Sequence, residues 1–372
     1  MFADTPPLRP ASPLRGFAGH LPRTRGRKVV AAVVASAVLA LVPSVSSAAT
    51  PEEFYKGKPM TLIMSADAGG GYASYANAFA PYLSKHIPGN PRITVQYMPG
   101  AGGLRAINYL YTSAPKDGSF IGMVHSSVPF APLYGLSAAR FDPRKFGWLG
   151  SLDESMGICV AWGTSGIRTW QDMMSKGLVV GSSGAGSQME TMPMMLNKLF
   201  GSKNKVISGY KGGNEVYLAM ERGEVQGRCG SLVSSINSTR PDWFTQKKIV
   251  VPITIALERN PQFPDVPAVA EFAKDERTKR VLELVLSPMA MDRPYLTPPG
   301  IPADRFQALR AAFHAAASDP GFLADAKKQR IDVQEVSGEK VEQVIARAFA
   351  MPPDIVKAAN EAMGGVGGAG GG

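Results

Sequence analysis

The chain has 372 residues, of which 45% are hydrophobic and 19% are charged. This composition is typical of a globular protein, and it excludes both an intrinsically disordered chain and a protein embedded in a membrane. The formal net charge is +10, but the sequence has no clustered basic stripe of the kind that binds nucleic acid. The length is sufficient for two domains, each with its own hydrophobic core.

The first 48 residues have the pattern of a secretory signal peptide. A basic segment at 23–30 precedes an apolar run at 31–42, and small residues follow at 43–50. The apolar run is shorter than the ~20 residues that a membrane-spanning helix needs. Removing residues 1–48 takes away six Lys and Arg residues and one Asp, so the net charge falls from +10 to +5. We therefore expect a mildly basic protein that is exported to the periplasm.

The exported part begins with alternating strands and helices. Apolar runs predict strands at 59–65, 92–98 and 120–124, and apolar residues at helical spacing lie between them. Three glycines, Gly69–Gly71, separate the first strand from the first helix. Short strand–helix–strand connections of this kind are typical of a right-handed parallel sheet.

A second unit repeats this order along the chain. Strands are predicted at 157–162, 177–182, 205–210 and 224–230, and a glycine loop follows the second of them. A further strand at 247–257 is predicted to return to the first sheet, and the pattern is helical from residue 302 onward. The prediction is an α/β protein with two Rossmann-like lobes around a ligand cleft. Its predicted parts are a first lobe at 49–155, a second lobe at 156–253, a return to the first lobe with C-terminal helices at 254–363, and a disordered Gly-rich tail at 364–372.

Both glycine loops place free backbone N–H groups at the start of a helix, which favours the binding of an anion. Neither loop has the spacing of a dinucleotide- or phosphate-binding motif, and neither forms a nucleophile elbow with a His nearby. We predict that the two loops hold a small anion across a closing cleft, with no catalysis, cofactor or metal. Valine at Gly70 or Gly186 is then expected to abolish binding, because a β-branched residue can neither adopt glycine-only backbone nor allow the ligand to approach closely. The alternative is that the loops only pack helices against sheets.

The two cysteines, Cys159 and Cys229, lie in predicted strands of the second unit. In an oxidising compartment they either form one disulfide or remain two small buried apolar side chains. The sequence leaves both possibilities open, and a disulfide would close a loop of about 70 residues.

Seven segments in register resemble the periplasmic receptors of tripartite tricarboxylate transporters, the Bug family. The resemblance covers essentially the whole exported chain, and its segments are KPMTLIMSADAGGGY (58–72), MPGAGG (98–103), APKDGS (114–119), VVGSSGAGS (179–187), GYKGGNE (209–215), FPDVPAVAE (263–271) and PPGIPADRFQALR (298–310). The resemblance implies a type II Venus-flytrap fold, a small organic carboxylate as ligand, and delivery to a small and a large membrane permease subunit. The binding protein itself is expected to be a monomer.

The resemblance also implies which residues contact the ligand carboxylate. These are Ala68, Gly69, Gly70, Gly71, Tyr72, Ser126 and Ser127 in the first lobe, and Ser183, Gly184, Ala185, Gly186, Ser187, Tyr210 and Lys211 in the second. The chain departs from the usual family loop at Ala73, where the family has an Asp, and at Ala66, where it commonly has a Phe. From Ala73 we predict a preference for acids without an α-amino group, either dicarboxylates or aromatic and other apolar-bodied carboxylates, over amino acids.

Two other interpretations remain open from the sequence. One is an exported α/β enzyme that acts on a small carboxylate in the same cleft. The other is a solute-sensing subunit that serves a signalling kinase rather than a transporter.

Overall fold

The computed structural model describes residues 49–365. The predicted signal peptide and residues 366–372 of the predicted tail lie outside this range. Within it, no helix combines the length and the apolar character that crossing a membrane requires.

The described residues form two mixed sheets with helices on both faces. The strands are β1 (Met60–Met64), β2 (Ile93–Tyr97), β3 (Phe120–Met123), β4 (Gly147–Asp153), β5 (Gly157–Trp162), β6 (Val179–Ser182), β7 (Lys205–Ser208), β8 (Gly227–Leu232), β9 (Ile249–Ile255), β10 (Asp292–Thr297) and β11 (Val336–Ser337). The helices are α1 (Pro51–Tyr55), α2 (Gly71–His86), α3 (Leu104–Thr112), α4 (Trp170–Lys176), α5 (Gln188–Phe200), α6 (Gly213–Glu221), α7 (Val233–Thr239), α8 (Asp242–Thr245), α9 (Glu276–Leu286), α10 (Ala303–Ala317), α11 (Pro320–Lys328), α12 (Gly338–Phe349) and α13 (Pro353–Ala362).

The first sheet has the strand order β11-β4-β10-β3-β1-β2. The predicted parallel pairing is confirmed for its first three strands, with Leu62 of β1 opposite Val95 of β2 and Ile121 of β3. Strands β10, β4 and β11 extend the sheet in antiparallel pairs. Helix α2 packs on this sheet through Phe79, whose ring meets Phe313 of α10 edge to face at 5.2 Å. These aromatic side chains are fully buried and form the centre of the first lobe's core.

The second sheet has the order β7-β6-β8-β5-β9. Strands β6, β7 and β8 are parallel, whereas β5 runs antiparallel to both β8 and β9. The prediction that the strand at 247–257 returns to the first sheet is wrong, since β9 pairs with β5 at the edge of the second sheet. Only residues 246–248 join α8 to β9, so the chain has no room to cross between the sheets there. The crossing follows β9 instead, in the longer segment 256–291.

The C-terminal segment serves both lobes. Strands β10 and β11 belong to the first sheet, whereas α13 packs against α9 and against α5 of the second lobe. The predicted return of 254–363 to the first lobe therefore needs correction for α9, α13 and the end of β9. An apolar face on each of these helices lets α9 cover the second lobe before the chain crosses to the first sheet, and lets α13 cover it after the chain has formed β10 and β11.

Cys159 in β5 and Cys229 in β8 lie on neighbouring strands of the second sheet, and their sulfur atoms are bonded. The disulfide joins residues 70 positions apart. It ties the strand that enters the second lobe to the strand that leads toward the cleft.

Candidate ligand-binding cleft

The carboxyl ends of parallel strands from both sheets face one another across a cleft. In open α/β sheets, ligands bind at this end of the strands. The first lobe contributes residues 66–67 and 70–72 after β1 and 125–127 after β3, and the second contributes 187–189, Gly213 and parts of 228–235. The cavity between these residues measures about 40 Å³, room for only a few water molecules, so the cleft is closed in this structure.

Six of the residues predicted from the resemblance line this cleft: Gly70, Gly71, Tyr72, Ser126, Ser127 and Ser187. The other eight lie outside its lining: Ala68, Gly69, Ser183, Gly184, Ala185, Gly186, Tyr210 and Lys211. Gly186 still helps to close the cleft, because its carbonyl oxygen accepts a hydrogen bond of 3.0 Å from the hydroxyl of Ser127 in the opposite lobe.

Lys211 does not supply the positive charge of the cleft. Its side chain is 72% exposed and its Nζ lies 3.5 Å from a carboxylate oxygen of Glu215, one helical turn away. The hydroxyl of Tyr210 points to Glu224 at 3.5 Å. Both side chains therefore sit on the outer surface of the second lobe.

Three helices begin at the cleft with uncapped N-termini. The N-cap residues Gly70 of α2, Ser187 of α5 and Gly212 of α6 make no side-chain hydrogen bond to their helices. The first backbone N–H groups of α2 and α5, and the positive ends of their dipoles, are therefore directed at the cleft, whereas the carboxylate of Asp67 lies against the start of α6. This arrangement favours an anionic ligand.

Arg228 supplies a positive charge beside these helix ends. It lies in β8, and its guanidinium stacks over the ring of Tyr217 at 4.8 Å. Its buried Nε has no hydrogen-bond partner among residues 49–365, and no carboxylate of those residues lies within ion-pair distance of the guanidinium. Arg228 is therefore able to form a charge-assisted hydrogen bond with a ligand.

The Tyr72 hydroxyl is already fully used within the protein. It donates a hydrogen bond of 2.5 Å to Oδ1 of Asp292 and accepts one of 3.2 Å from the backbone N–H of Ser126. The ring meets the imidazole of His125 edge to face at 4.7 Å. Tyr72 therefore offers a ligand its aromatic ring rather than its hydroxyl.

His125 adds no charge to the cleft. Burial lowers the pKa of its imidazole to about 4, although the carbonyl oxygen of Gly102, 3.3 Å from Nδ1, opposes this shift. The side chain is therefore neutral near pH 7. The charged side chains that line the cleft are then Asp67 and Arg228.

A buried ion pair lies behind Tyr72, where the lobes meet. The Arg293 guanidinium is wholly buried, pairs with the Asp292 carboxylate, and stacks on Tyr72 and Tyr75 at 4.3 Å from each ring centre. Its Nη2 donates a hydrogen bond of 2.9 Å to the hydroxyl of Ser235 in α7. Arg293 thus connects the first lobe to the second while its charge is neutralised within the first.

Asp153 lies beside this pair at the end of β4, where the chain leaves the first lobe. Its side chain is buried, and this burial raises its pKa to about 7, with Arg293 opposing the shift and Asp292 adding to it. The native state therefore holds a proton between pH 4 and 7 that the unfolded chain has released. The contribution of this bound proton to the free energy of unfolding is fully present below about pH 4 and is lost as the pH rises through 7.

We therefore expect Asp153→Asn to stabilise the protein at alkaline pH. The amide resembles the protonated acid, so the free energy of unfolding should rise by on the order of a few kcal/mol at pH 8 and stay unchanged at pH 3, where the wild-type carboxyl is protonated in both states. Thermal unfolding of both proteins at the two pH values measures this difference. A lower melting temperature of the variant at pH 8 would show instead that Tyr75 and Ser234 need the carboxylate as a hydrogen-bond acceptor.

Sequence reasoning missed Asp67, His125, Gln188, Gly213, Arg228 and Ser235, all of which line the cleft. One usable signal was Arg228, a cation inside an otherwise small and apolar strand, GRCGSL. Another was Asp67, an acid directly before the first glycine loop. Ala73, from which the ligand preference was predicted, is buried and does not line the cleft. Among the described residues, no group of three or more His, Cys, Asp or Glu side chains is placed to hold a metal ion.

The sequence matches the family described as the tripartite tricarboxylate transporter family receptor, TctC, over residues 82–360. The chain belongs to this family. The resemblance found in the sequence is thereby confirmed, and the TctC chain is a solute-binding receptor rather than an enzyme.

Solved structures of TctC-like receptors share the fold. BugD, a periplasmic binding protein, has a TM-score of 0.66 and 18% identity, with 83% of this chain and 98% of BugD covered. MatC from Rhodopseudomonas palustris, with bound malate, has a TM-score of 0.64 and 18% identity, with 80% of this chain and 99% of MatC covered. A second R. palustris protein, with adipate, has a TM-score of 0.65 and 15% identity, with 82% of this chain and 97% of that protein covered. The predicted two-lobed fold is confirmed by this likeness. No curated protein matches the sequence.

Proposed function

We propose that this TctC receptor captures a small organic carboxylate in the periplasm and delivers it to the small and large membrane subunits of a tripartite transporter. The observation that carries this proposal is the unpaired Arg228 guanidinium beside the uncapped N-termini of α2 and α5 in one interlobe cleft. Malate and adipate in the similar structures support a carboxylate as the ligand.

The energies are sufficient for useful affinity. A helix N-terminus stabilises a partly buried anion by up to ~2 kcal/mol, and a hydrogen bond to a charged group contributes ~1.5–3 kcal/mol. At the middle of this range, four or five such contacts sum to about 9–11 kcal/mol, above the ~8 kcal/mol that corresponds to micromolar binding, before the cost of association is subtracted. No cofactor is needed for this role.

The test is calorimetric titration of the chain from residue 49 onward with a panel of mono-, di- and tricarboxylates. We expect at least one acid to bind with micromolar or better affinity. Arg228→Gln should weaken it about tenfold, since one charge-assisted hydrogen bond is lost. Lys211→Gln is the matched control and should leave the affinity unchanged, because Lys211 lies outside the cleft.

Two results would contradict the proposal. One is the absence of binding across the whole panel, and the other is an equal loss of affinity in both variants. Co-purification of the ligand-loaded receptor with its two membrane subunits tests the delivery step separately.

A further inference from the structure

We propose that Asp67 is a specificity-determining residue, which makes the cleft select a monocarboxylate that also carries a hydrogen-bond donor over a dicarboxylate. This inference rests on the proposed function, because it concerns the ligand of the same cleft. It replaces the preference predicted from Ala73, whose side chain does not reach the cleft.

Asp67 is a buried acid without a partner for one of its oxygens. It follows β1 directly, its exposed fraction is only 8%, and it lines the cleft. Its Oδ1 is buried and has no hydrogen-bond partner among residues 49–365. Leaving a buried acceptor unpaired is costly, and more so when the group is charged. A ligand that donates a hydrogen bond to this oxygen would remove that cost.

Asp67 and Arg228 lie on either side of the start of helix α6. A Cβ atom built on Gly212 would lie 2.2 Å from Oδ1 of Asp67. A Cβ atom built on Gly213 would lie 2.5 Å from Nη1 of Arg228. An acid of the first lobe and a base of the second therefore approach consecutive glycines, and only residues without side chains leave them room.

A ligand in this cleft therefore meets a positive side chain, Arg228, and a negative one, Asp67, which favour opposite kinds of chemical group. Its carboxylate finds Arg228 and the backbone N–H groups at the helix ends, as argued above. The rest of the ligand then lies within reach of Asp67, which accepts hydrogen bonds when ionised and repels a second carboxylate. His125 is neutral, so no other positive side chain lining the cleft offsets that repulsion.

A competing role for Asp67 is purely structural. Its carboxylate lies against the N-terminus of α6 in the opposite lobe, where it would stabilise the closed form through the helix dipole. A structural role of this kind predicts that removing the charge weakens every ligand by the same factor. A selective role predicts that the order of the ligands changes.

The experiment compares four acids with the same number of carbon atoms: butyrate, 2-hydroxybutyrate, 2-aminobutyrate and succinate. Each is titrated by calorimetry into the wild-type chain, into Asp67→Asn and into Asp265→Asn. Asp265 is exposed and outside the cleft, so Asp265→Asn is a matched control for the loss of one acid.

For the wild type we expect the hydroxy or the amino acid to bind at least tenfold more tightly than butyrate and succinate. The tighter of the two then identifies the donor as a hydroxyl or as an ammonium. In Asp67→Asn, the affinity for the donor-bearing acid divided by the affinity for succinate should fall more than tenfold, partly because succinate binds more tightly. Asp265→Asn should keep the wild-type ratio.

Equal weakening of all four acids in Asp67→Asn would overturn the inference in favour of the structural role. Tighter binding of butyrate or succinate by the wild type would also overturn it, and that result needs no variant to fold. Both results leave the proposed function intact, since carboxylates still bind. The failure of every acid, here and in the wider panel, would instead overturn the proposed function and this inference with it.

Discussion

Gly71→Ala is expected to weaken ligand binding by more than about 100-fold through loss of the closed form, which corresponds to at least ~2.7 kcal/mol. A Cβ atom at Gly71 would lie 2.2 Å from Oγ, 2.5 Å from Cβ and 2.8 Å from Cα of Ser235. Gly71 begins α2 in the first lobe, whereas Ser235 lies in α7 of the second. The clash therefore arises only when the lobes are closed, and the backbone of Gly71 is not in the left-handed region. The folded lobes themselves should be unaffected.

Three measurements check this expectation. Calorimetry with the best carboxylate gives the affinity, thermal unfolding should show a melting temperature within a few degrees of wild type, and small-angle scattering should show a more open molecule. Adding Ser235→Gly to the Gly71→Ala variant should restore part of the affinity. Wild-type affinity of Gly71→Ala alone would mean that the ligand-bound lobes do not approach as closely as in this structure.

Replacing both Cys159 and Cys229 with alanine is expected to lower the free energy of unfolding by about 4 kcal/mol on the loop-entropy account. The bond closes a loop of 70 residues, and both side chains are wholly buried between the strands of the second sheet. Urea unfolding of the oxidised wild type and of the double variant measures the difference.

Two controls accompany this measurement. Reductant should destabilise the wild type by a similar amount and leave the double variant unchanged. Mass spectrometry of the denatured, unreduced wild type should show no alkylated thiol, and two alkylated thiols would contradict the expectation.

Local patterns predicted most of the fold. The first strand was recognisable from the apolar run MTLIM, and the helix that follows it from the spacing of Tyr75, Phe79 and Leu83. Strand β4, GWLGSLD, was not predicted because it has two glycines and no β-branched residue. It exists because it pairs with β10, more than 130 residues away in sequence, and such pairing leaves no local pattern.

The site was predictable only where backbone geometry defines it. Gly186 does have the left-handed backbone expected of a glycine-only position, with φ of +85°. Gly70, with φ of −84° and ψ of 170°, has ordinary extended backbone, so the prediction of glycine-only backbone there was wrong, and close approach remains the reason to expect an effect of Gly70→Val. Strand alternation turns Arg228 away from the face of its neighbour Cys229, but nothing local reveals that this face looks onto the cleft.

The contacts between the lobes bear on how easily the receptor changes shape without a ligand. Arg293 forms an ion pair with Asp292 of the same lobe, so separating the lobes leaves that ion pair intact. What separation breaks is a small set of hydrogen bonds, among them Gln188 to Ser126 at 3.2 Å and Arg293 to Ser235 at 2.9 Å. Each such bond contributes about 1 kcal/mol net, more where a charge is involved. We therefore expect the empty receptor to populate an open form as well, with the bound ligand shifting the population toward the closed form seen here.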